Sequence, residues 1–439
     1  MQLNALKDLL REMGVVGAGG AGFPSYAKLS DKVDTIILNC AECEPLLKVH
    51  RQVLEEYTAE ILSTLSELVT AAGAKRGIVA IKTHYHSALL ALESEIGDYP
   101  ALKIHKLDAV YPAGDEIILI KEVTGRVVDP GKLPLSVGVT VCNVESVYNV
   151  HQAIKGKPVT HKFVTVAGEV VRPATLYVPL GTKISELITA VGGTTVEEPE
   201  YLCGGPMMGR LTTPYQPVTK TTNAIIVLPK DHTVIMNKKL NSSVNLRRTM
   251  SVCCQCRSCT DLCSRRVLGY PVYPHLVMRV LSNGGKGKVE ALAGSMFCSG
   301  CGLCETYSCP QGLSPRAMIA ELKTMARAQG YKPPDDIKPD EVKDAAFKKV
   351  SVERLTMRLG LKKYDVPAPI SYEFETKAVK LLLSQHLGAP AVATVKEGDE
   401  VKEGDVIARA KDGALSVNIH ASISGRVSAV TQSYVKITK

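Results

Sequence analysis

The segment CCQCRSCTDLC, residues 253–263, places five cysteines within eleven positions. Cys254 falls outside a regular spacing, whereas the other four follow C-x2-C-x2-C-x3-C: Cys253, Cys256, Cys259 and Cys263. A second segment, FCSGCGLCETYSCP at 297–310, repeats the first two gaps and contributes Cys298, Cys301, Cys304 and Cys309. Thiolates spaced in this way in a tight loop turn toward one inorganic centre. This region is therefore predicted to fold around iron and sulfide.

In ferredoxins with two such runs, the fourth cysteine of each run ligates the other [4Fe–4S] cluster. On that pattern, a first cluster is predicted to bind Cys253, Cys256, Cys259 and Cys309. A second cluster is predicted to bind Cys298, Cys301, Cys304 and Cys263. Two features depart from the usual run, because the last gap of the second segment has four residues and only Cys309 is followed by proline. Both departures concern the fourth ligands.

Structural zinc is the competing interpretation, because zinc sites also use C-x2-C pairs. A tetrahedral zinc site takes two close pairs from separate loops, so a third cysteine two residues further on has no place in it. Two such triplets in one chain favour iron–sulfur clusters over zinc.

The composition is that of an ordinary globular chain of about three domains. The chain has 439 residues, 45% of them hydrophobic and 22% charged. We find no apolar run long enough for a transmembrane helix and no signal peptide. Most of the thirteen cysteines belong to the two segments, which favours a reducing, cytoplasmic compartment over a disulfide framework. The net charge of +9 lacks a basic tract and does not indicate nucleic-acid binding, but it favours anionic dinucleotides and acidic partners.

Changes in pattern along the chain divide it into five segments. Residues 1–157 alternate short apolar runs with helical patterns, which is typical of an α/β domain. Residues 158–235 combine strand patterns with one short helix. Residues 236–330 hold the cysteines, are predicted to form a helical ferredoxin-like domain and end in a helix. Residues 331–384 form a charged, proline-rich linker with a helical part. Residues 385–439 show short strands with Gly-Asp turns, so the predicted fold class is multidomain α/β and α+β with a final all-β module.

A glycine-rich loop, GVVGAGGAGFP at 14–24, follows the first predicted helix and carries Gly17, Gly19, Gly20 and Gly22. Glycines allow backbone N–H groups to approach a phosphate that a Cβ atom would block. No strand precedes the loop, so it is not a Rossmann fingerprint. Taken alone, the loop fits a nucleotide or flavin site as well as it fits a flexible surface turn.

Three further motifs place polar residues at the predicted ends of strands. NCAECEP at 39–45 presents Asn39, Glu42 and Glu44 where α/β ligand sites form. Its Cys40 and Cys43 are spaced as a redox pair or half a zinc site, but small buried residues are the simpler interpretation. The acidic turn in YPAGDE at 111–116 and the asparagine in CNVES at 142–146 also fit ordinary helix caps.

The four motifs GAGGAGFP, NCAECEP, YPAGDE and CNVES, in this order, resemble the flavin and NADH domain of RnfC-like proteins and of the complex I flavoprotein subunit. VAGEVVRPATLYVPLGT resembles the β-grasp (SLBB) module that follows in both. The double ferredoxin motif and RLGLKKYDVPAP at 358–369 resemble RnfC-like proteins specifically. An all-β barrel-sandwich module at the C-terminal end resembles the arrangement of PduS-type cobalamin reductases. The resemblance covers nearly the whole chain.

The resemblance implies two sets of binding residues in the first domain. FMN would be bound by Gly17, Gly19, Gly20, Gly22, Lys28, Asn39 and Asn143. NADH would face Phe23, Glu44 and Glu116, and Glu42 would lie near the flavin ring, so that Glu42 and Glu116 support hydride transfer. Ala41 stands where the complex I pattern is acidic, and the acidic turn reads Asp-Glu in place of Glu-Glu. These differences bear on the details of the flavin contacts.

The same resemblance implies an NADH-oxidising reductase that sends electrons through FMN and two [4Fe–4S] clusters to a corrinoid. Cob(II)alamin would become cob(I)alamin, as in propanediol utilisation, and the protein would reside in the cytoplasm or a bacterial microcompartment. The alternatives are an Rnf-type electron-input subunit with a protein acceptor, and a non-enzymatic electron relay with a degenerate flavin site. A partner protein, such as an adenosyltransferase, is compatible with the corrinoid reductase and with the electron-input subunit. The β-grasp module would either bind the corrinoid or a partner, or act as a scaffold.

Overall fold

The computed structural model describes residues 1–283 and 289–439. Its first unit has the helices α1 (Leu3–Glu12), α2 (Val49–Glu56), α3 (Thr58–Ala71), α4 (His86–Glu95), α5 (Glu116–Thr124) and α6 (Val144–Ile154). The strands are β1 (Thr35–Cys40), β2 (Arg76–Lys82), β3 (Leu102–Leu107), β4 (Val110–Tyr111) and β5 (Val139–Asn143). Four of these strands form a parallel sheet of order β3-β2-β1-β5.

Helices on both faces of this sheet explain the composition of its strands. The central strand β1, TIILNC, has no exposed residue, and the apolar side chains of β2 from Ile78 onward are buried as well. Continuous apolar runs are typical of parallel strands that are covered on both sides. The chain runs from β1 to β2 on one side and returns to β5 on the other, so the strand order reverses beside β1. Ligands of open α/β sheets bind at such a reversal.

The second unit is a mixed sheet with a short helix. Its elements are β6 (His161–Gly168), β7 (Ala174–Pro179), α7 (Ile184–Ala190), β8 (Pro199–Cys203), β9 (Arg210–Thr212) and β10 (Ala224–Pro229). Helix α8 (Thr233–Lys239) follows and leads into the cysteine region. A sixth strand, β12 (Ile370–Ser371), comes from much later in the chain and pairs with β7. The predicted β-grasp module is thus completed by a distant strand.

The cysteine region is helical, as predicted. It comprises α9 (Ser242–Val252), α10 (Ser258–Asp261), α11 (Ser264–Val267), α12 (Pro274–Ser282), α13 (Val289–Ser295), α14 (Leu303–Thr306) and α15 (Pro315–Ala328). The last helix ends in a Schellman motif, in which Tyr331 N–H donates to the Ala326 carbonyl and Gly330 N–H to the Arg327 carbonyl. Gly330 has φ +72°, a conformation that glycine adopts without strain.

The remaining chain crosses back over the other units and ends in a β module. It contains β11 (Val350–Ser351), which pairs with β4, and α16 (Val352–Arg358). The module has β13 (Ala378–Leu382), β14 (Val392–Ala393), β15 (Glu400–Val401), β16 (Val406–Arg409), β17 (Ile419–His420), β18 (Gly425–Val430) and β19 (Tyr434–Thr438). These strands form two antiparallel sheets, β13-β19-β18-β15 and β14-β16-β17.

One boundary differs from the sequence prediction. Strand β13 lies within the segment predicted as linker, 331–384, yet it pairs along its whole length with β19 at the end of the chain. The all-β module therefore begins before residue 385. The pairing partner is far away in sequence, so no local pattern marks this strand as part of the module.

The fold class predicted from the sequence is confirmed. An α/β unit, a β-grasp unit, a helical cysteine region and a final β module follow one another along the chain. Within the described ranges, 1–283 and 289–439, no helix is both long and apolar enough to cross a membrane.

Candidate functional site

A cavity of about 560 Å³ opens at the carboxyl ends of β1 and β5, where the strand order of the first sheet reverses. Asn39 and Asn143 end these two strands and are direct neighbours in the sheet register. The structure brings most of the predicted cofactor residues to this cavity: Gly17, Gly19, Gly20, Phe23, Lys28, Asn39, Glu42, Glu44, Glu116 and Asn143. Motifs that lie as far apart in the chain as Gly17 and Asn143 thus meet in one place, as expected for an α/β ligand site.

Gly22, in contrast to the other three glycines of the loop, is not among the residues that line the cavity. A Cβ atom on Gly22 would lie 2.8 Å from a methyl carbon of Thr221 and 3.2 Å from the backbone of Gln385 and His386. This glycine therefore allows the loop to pack against the second unit and the final β module. Its place in the structure is explained by this packing and not by the cavity.

The glycine-rich loop presents unpaired backbone donors to the cavity. The Ala18 N–H donates to Ser146 Oγ at 2.9 Å, which anchors the loop to α6. In the described part of the chain, the N–H groups of Gly19, Gly20 and Ala21 donate to no protein acceptor. Successive free N–H groups in a turn form a concave site for an anion. The loop therefore suits a phosphate group.

Two side-chain amides approach the same loop. A Cβ atom at position 19 would lie 2.7 Å from Asn223 Nδ2 and 3.4 Å from Asn143 Nδ2. Only glycine leaves room for both amides here. Asn143 also accepts a hydrogen bond from Ser146 N–H through Oδ1 at 2.7 Å and so caps α6. The helix-cap interpretation of Asn143 is confirmed. The cap uses the oxygen and leaves the amide nitrogen facing the loop, so the binding of FMN by Asn143 stays a prediction.

Two polar side chains in the cavity each have a buried atom without a hydrogen-bond partner. Glu42 Oε2 and His50 Nε2 have no hydrogen-bond partner among the described residues, and both side chains line the cavity. Burial raises the pKa of Glu42 to about 7 and lowers the pKa of His50 to about 3. Buried polar atoms without partners are rare in folded proteins and indicate a missing ligand or water. These two atoms fit a polar cofactor edge.

The backbone at Glu42 is held firmly in place. Lys82 Nζ donates to the Glu42 carbonyl at 2.9 Å, and Tyr85 Oη donates to the same oxygen at 2.6 Å. Lys82 is fully buried, and burial lowers its pKa. The Glu42 backbone is thereby held by Lys82, the last residue of β2, and by Tyr85 just after it.

Lys28 and Glu116 form an ion pair at one side of the cavity. Lys28 Nζ lies 3.4 Å from Glu116 Oε1 and donates to the Val141 carbonyl at 2.9 Å. Glu116 is the first residue of α5, and its partly exposed carboxylate remains accessible to a ligand. The half-buried ring of Phe23 also faces the cavity.

Glu44 is engaged by the protein itself. Its two carboxylate oxygens accept hydrogen bonds from Met207 N–H at 2.9 Å and Met208 N–H at 2.8 Å, in the loop between β8 and β9. Burial raises the pKa of this carboxyl group. Glu44 therefore joins the first unit to the β-grasp unit while also lining the cavity, and contact between its carboxylate and NADH stays a prediction.

The side chains of two other motif residues form hydrogen bonds with the protein backbone. Asn39 donates to the Gly114 carbonyl at 2.9 Å and accepts from Ala41 N–H at 3.0 Å, so both ends of its amide are occupied. Asp115 caps α5 by accepting from the N–H groups of Ile117 and Ile118. The helix-cap interpretation of the acidic turn is thus confirmed for Asp115.

Sequence patterns did not reveal the residues that other units bring to the cavity. Asn223 comes from the segment before β10, and Leu387 comes from the final β module. Asn223 is positioned by Lys162, whose Nζ donates to Asn223 Oδ1 at 2.8 Å and pairs with Glu145. Lys162 and Glu145 are both almost completely buried. No local motif could indicate Asn223, because it enters the site only through the packing of β6 and β10 against α6.

The first predicted set of cysteines is gathered in space. Cys253, Cys256, Cys259 and Cys309 line one small cavity near the surface, together with Cys254. Burial raises the pKa of Cys259 to about 12, and the neighbouring thiols of Cys309, Cys256 and Cys253 add to this effect. Cys256 and Cys254 are exposed. Cys309 therefore lies with the first segment although it belongs to the second.

The second set is also gathered, and it is more deeply buried. Cys263, Cys301 and Cys304 are buried, and Cys298 is half-buried. Burial raises the pKa of Cys304, and the nearby thiols of Cys298, Cys301 and Cys263 contribute to the same shift. Ser264 Oγ, next to Cys263, lies 3.5 Å from Cys301 Sγ. The exchange of fourth cysteines predicted from the ferredoxin pattern matches this grouping.

The side chains of the two sets are not arranged around a single ion. In the described ranges, no three His, Cys, Asp or Glu side chains are placed to hold one metal ion.

The second set adjoins the cavity. Tyr111 Oη donates to the Cys301 carbonyl at 2.6 Å, and Arg265 pairs with Asp115 at 2.6 Å. Both contacts connect the YPAGDE motif at the cavity to the loops that carry the second set. The first set lies closer to solvent, with Cys256 exposed.

Cys40 and Cys43 are free thiols. Burial raises the pKa of both groups, that of Cys43 to about 11. Cys40 is completely buried in the core, whereas Cys43 is half-buried and lines the cavity. The structure thus agrees with the interpretation of Cys40 as a small buried residue.

Four family descriptions match successive parts of the chain. Residues 10–152 match the Nuo51 FMN-binding domain, and residues 163–211 match the SLBB domain. Residues 252–314 match a 4Fe-4S dicluster domain, and residues 360–439 match the RnfC barrel sandwich hybrid domain. The chain therefore contains an FMN-binding domain and a 4Fe-4S dicluster domain. The free N–H groups, the two amides and the unsatisfied carboxylate described above fit a flavin nucleotide.

Curated relatives match the chain from end to end. It is 41% identical over 445 residues to the cobalamin reductase PduS of Salmonella typhimurium, with 100% of this chain and 98% of the relative covered. It is 40% identical over 438 residues to the cobalamin reductase PduS of Citrobacter freundii, with 99% and 96% covered. One component of the Na⁺-translocating ferredoxin:NAD⁺ oxidoreductase complex of Acetobacterium woodii is 31% identical over 271 residues, with 60% and 58% covered.

A solved structure shows the same fold at low sequence identity. The NAD⁺-reducing [NiFe]-hydrogenase in its air-oxidised state aligns with a TM-score of 0.51 and 20% identity. The alignment covers 83% of this chain and 68% of the hydrogenase chain.

Proposed function

The chain belongs to the family of the PduS cobalamin reductases, and we propose that it is an NADH-dependent reductase that delivers electrons through FMN and two [4Fe–4S] clusters to a corrinoid. The observation that carries the proposal is that full-length relationship, in a chain whose cavity adjoins one of two four-thiol sets. In the reaction, one NADH and two cob(II)alamin give NAD⁺, a proton and two cob(I)alamin. When bound, FMN would accept two electrons as a hydride and release them one at a time.

In this proposal the first unit holds FMN. The free N–H groups of Gly19, Gly20 and Ala21 bind its phosphate, since anions favour such turns. The amides of Asn143 and Asn223 bind nearby. Glu42 and His50 face the ring, where their unsatisfied atoms find partners. Asn39 and Gly22 act indirectly, because they shape the loops that carry these groups.

NADH occupies the open side of the same cavity in this proposal. Phe23 offers an aromatic face for stacking, and Glu116 offers a carboxylate that the ribose hydroxyls can reach. Lys28 holds Glu116 in position through their ion pair. Glu44 has a structural role, since Met207 and Met208 occupy its oxygens.

The two thiol sets extend from the cavity toward solvent. Cys263, Cys298, Cys301 and Cys304 would receive electrons first, because their loops contact Tyr111 and Asp115 beside the cavity. Cys253, Cys256, Cys259 and Cys309 would pass electrons to the acceptor, because this set lies near the surface. Thiolate ligation, burial and hydrogen bonds to sulfur would set the two potentials. NADH as reductant implies a cytoplasmic reaction, inside or outside a bacterial microcompartment.

A protein acceptor is the second candidate. The relative from Acetobacterium woodii, a component of an ion-translocating complex, matches 60% of this chain at 31% identity. In that case free cobalamin would be a poor acceptor, and activity would depend on a partner protein. The end-to-end match to PduS favours the corrinoid.

The test is an anaerobic titration of the reconstituted protein with NADH, followed by visible absorption and completed by added hydroxocobalamin. Bleaching of the flavin and cluster bands, followed by the spectrum of cob(I)alamin, is expected. Bleaching without corrinoid reduction would favour the protein acceptor. If NADH bleached neither band, the flavin site itself would be refuted and only an electron relay would remain.

A further inference from the structure

A second cavity, of about 280 Å³, lies between the β-grasp unit and the cysteine region. It is bounded by α8, by the segment 305–316 and by the end of α16. Three cationic side chains line it: Lys238, Arg316 and Arg358. We refer to this cavity as the cationic cleft. It is separate from the cavity at the end of β1 and β5.

The positive charge of the cleft is only partly balanced. Arg316 Nε pairs with Glu305 Oε1 at 2.7 Å, and Glu305 is the acidic residue that lines the cleft. Lys238 Nζ donates to the carbonyls of Met207 at 3.3 Å and Gly209 at 2.6 Å. Among the described residues, neither Lys238 nor Arg358 forms an ion pair with a carboxylate. Burial lowers the pKa of Lys238 to about 8, so this ammonium group is mostly charged at neutral pH.

Neutral hydrogen-bonding groups surround these cations. Thr233 and Asn237 come from α8, and Thr306 and Ser314 come from the cysteine region. Hydroxyl and amide groups around a positive centre suit a ligand that carries one negative charge together with amides. Charge-assisted hydrogen bonds from arginine and lysine to phosphate are among the stronger polar contacts in proteins.

The cleft also touches the first thiol set. Cys309 lines both the cleft and the small cavity of that set. Leu313 lines both as well, and its N–H donates to Cys309 Sγ at 3.4 Å. A molecule bound in the cleft would therefore lie beside the thiol set that is nearest to solvent.

We propose that the cationic cleft binds the phosphate-bearing nucleotide tail of the corrinoid and so holds the corrin ring against the first thiol set. Cobalamin carries a single phosphodiester and several amide arms, which match the charge and the neutral groups of the cleft. The cleft is too small for the whole corrinoid, so the ring stays outside. A cluster held by the first thiol set would supply one electron to Co(II), which would become Co(I), and no proton moves in this step. This inference rests on the proposed function, because it names where that acceptor binds.

Substitution of Arg358 can distinguish ligand binding by the cleft from a purely structural role of its cationic residues. Lys238 and Arg316 also hold the loop at Met207, so removing either would disturb the packing of two units. Arg358 is exposed and donates to no protein group in the described part of the chain. Arg354 is exposed on the same helix, four residues earlier, and does not line the cleft. Arg358→Gln and Arg354→Gln therefore form a matched pair.

The experiment compares hydroxocobalamin with hydroxocobinamide, which has the corrin ring but lacks the nucleotide tail. Binding to the oxidised protein is measured by equilibrium dialysis, and KM and kcat for formation of the Co(I) corrinoid, which takes two electrons from each added Co(III) compound, are measured with NADH. Wild-type protein should bind hydroxocobalamin more tightly than hydroxocobinamide. Arg358→Gln should raise the dissociation constant and KM for hydroxocobalamin by about three- to tenfold, with kcat nearly unchanged. It should leave hydroxocobinamide unaffected, and inorganic phosphate should compete with hydroxocobalamin alone.

The outcomes distinguish this inference from the proposed function. If wild-type protein reduces both corrinoids with equal KM and binds them equally, the nucleotide tail is not bound and the cleft proposal fails. An equal effect of Arg354→Gln and Arg358→Gln would attribute the change to surface charge and would also refute it. If NADH-reduced protein reduces neither corrinoid, the proposed function fails first.

Discussion

A single amide from the second unit completes the cavity of the first. Asn223 reaches the loop at Gly19, and Lys162 holds its oxygen while the nitrogen remains directed at the cavity. Lys162 in turn is neutralised by Glu145, which lies in the CNVES motif. A buried pair of this kind is costly to break on one side. The cavity and the docking of the β-grasp unit therefore share the same side chains.

Asn223→Ala should weaken FMN binding. The substitution removes one hydrogen bond between neutral groups, which contributes about 1 kcal/mol, so the dissociation constant should rise roughly fivefold. The measurement is a titration of the flavin-free protein with FMN, followed by quenching of flavin fluorescence. Thr221→Ala is the control, because the Thr221 side chain packs on Gly22 outside the cavity. Unchanged FMN affinity in Asn223→Ala would show that this amide has no part in the site.

At the scale of secondary-structure elements, the last cysteine of each segment lies with the other segment. Helices α10 and α14 each begin just after the second cysteine of a run, which turns the third cysteine back toward the first two. Gly302 starts α14 with φ +83°, and Arg257 starts α10 with φ +68°. Such positive φ values are unfavourable for a side chain other than glycine. Arg257 therefore adopts the tight turn with a strained backbone conformation.

Cys309→Ser should remove one cluster and spare the other. Cys309 lies with the first set, so the second set of Cys263, Cys298, Cys301 and Cys304 remains complete. Iron content should fall from about eight atoms per chain to about four. Iron analysis and low-temperature EPR of the reduced protein provide the measurement. Cys254→Ser is the control and should keep both clusters; equal loss in both variants would contradict the assignment.

At the scale of the whole molecule, one lysine joins three units. Lys220, in the second unit, donates to the carbonyl of Gly14 in the first at 2.7 Å and to the carbonyl of Asn418 in the final module at 3.2 Å. It is completely buried, and burial lowers its pKa to about 7. Among the described residues, no carboxylate pairs with it. The neighbouring groups His386 and His420 have lowered pKa values and are neutral above pH 7.

Thermal stability should therefore rise with pH above neutrality. In the unfolded chain a lysine keeps its proton up to about pH 10.4, whereas folded Lys220 loses it near pH 7. Between these values the unfolded state binds more protons, so the free energy of unfolding increases with pH, by at most about 1.4 kcal/mol per unit. The measurement is the Tm of wild-type protein and of Lys220→Met between pH 7 and pH 9.

The quantity to compare is the difference in Tm between wild-type protein and Lys220→Met at each pH, because other groups titrate in the same pH interval. The Tm of wild-type protein minus the Tm of Lys220→Met should increase as the pH rises. Lys157→Met, at an exposed position, should follow the wild type. Parallel Tm curves for wild type and Lys220→Met would mean that Lys220 keeps its ordinary pKa in the folded protein.

The sequence by itself determined the order of the units, the two cysteine sets and the position of the glycine-rich loop. These features are local, since the spacing of cysteines, runs of apolar residues and glycines at sharp turns depend on near neighbours. The crossed cysteine sets could also be predicted, because the ferredoxin pattern contains that exchange.

Only the tertiary structure decided which polar groups are free. Glu44 and Asn39 are predicted as binding residues by their motifs, yet Met207, Met208, Gly114 and Ala41 occupy their polar atoms. Asn223, the cationic cleft and the early strand β13 exist only through contacts between distant segments. The physical reason is that a polar side chain in a fold takes the nearest unsatisfied partner. In this chain that partner often belongs to another unit.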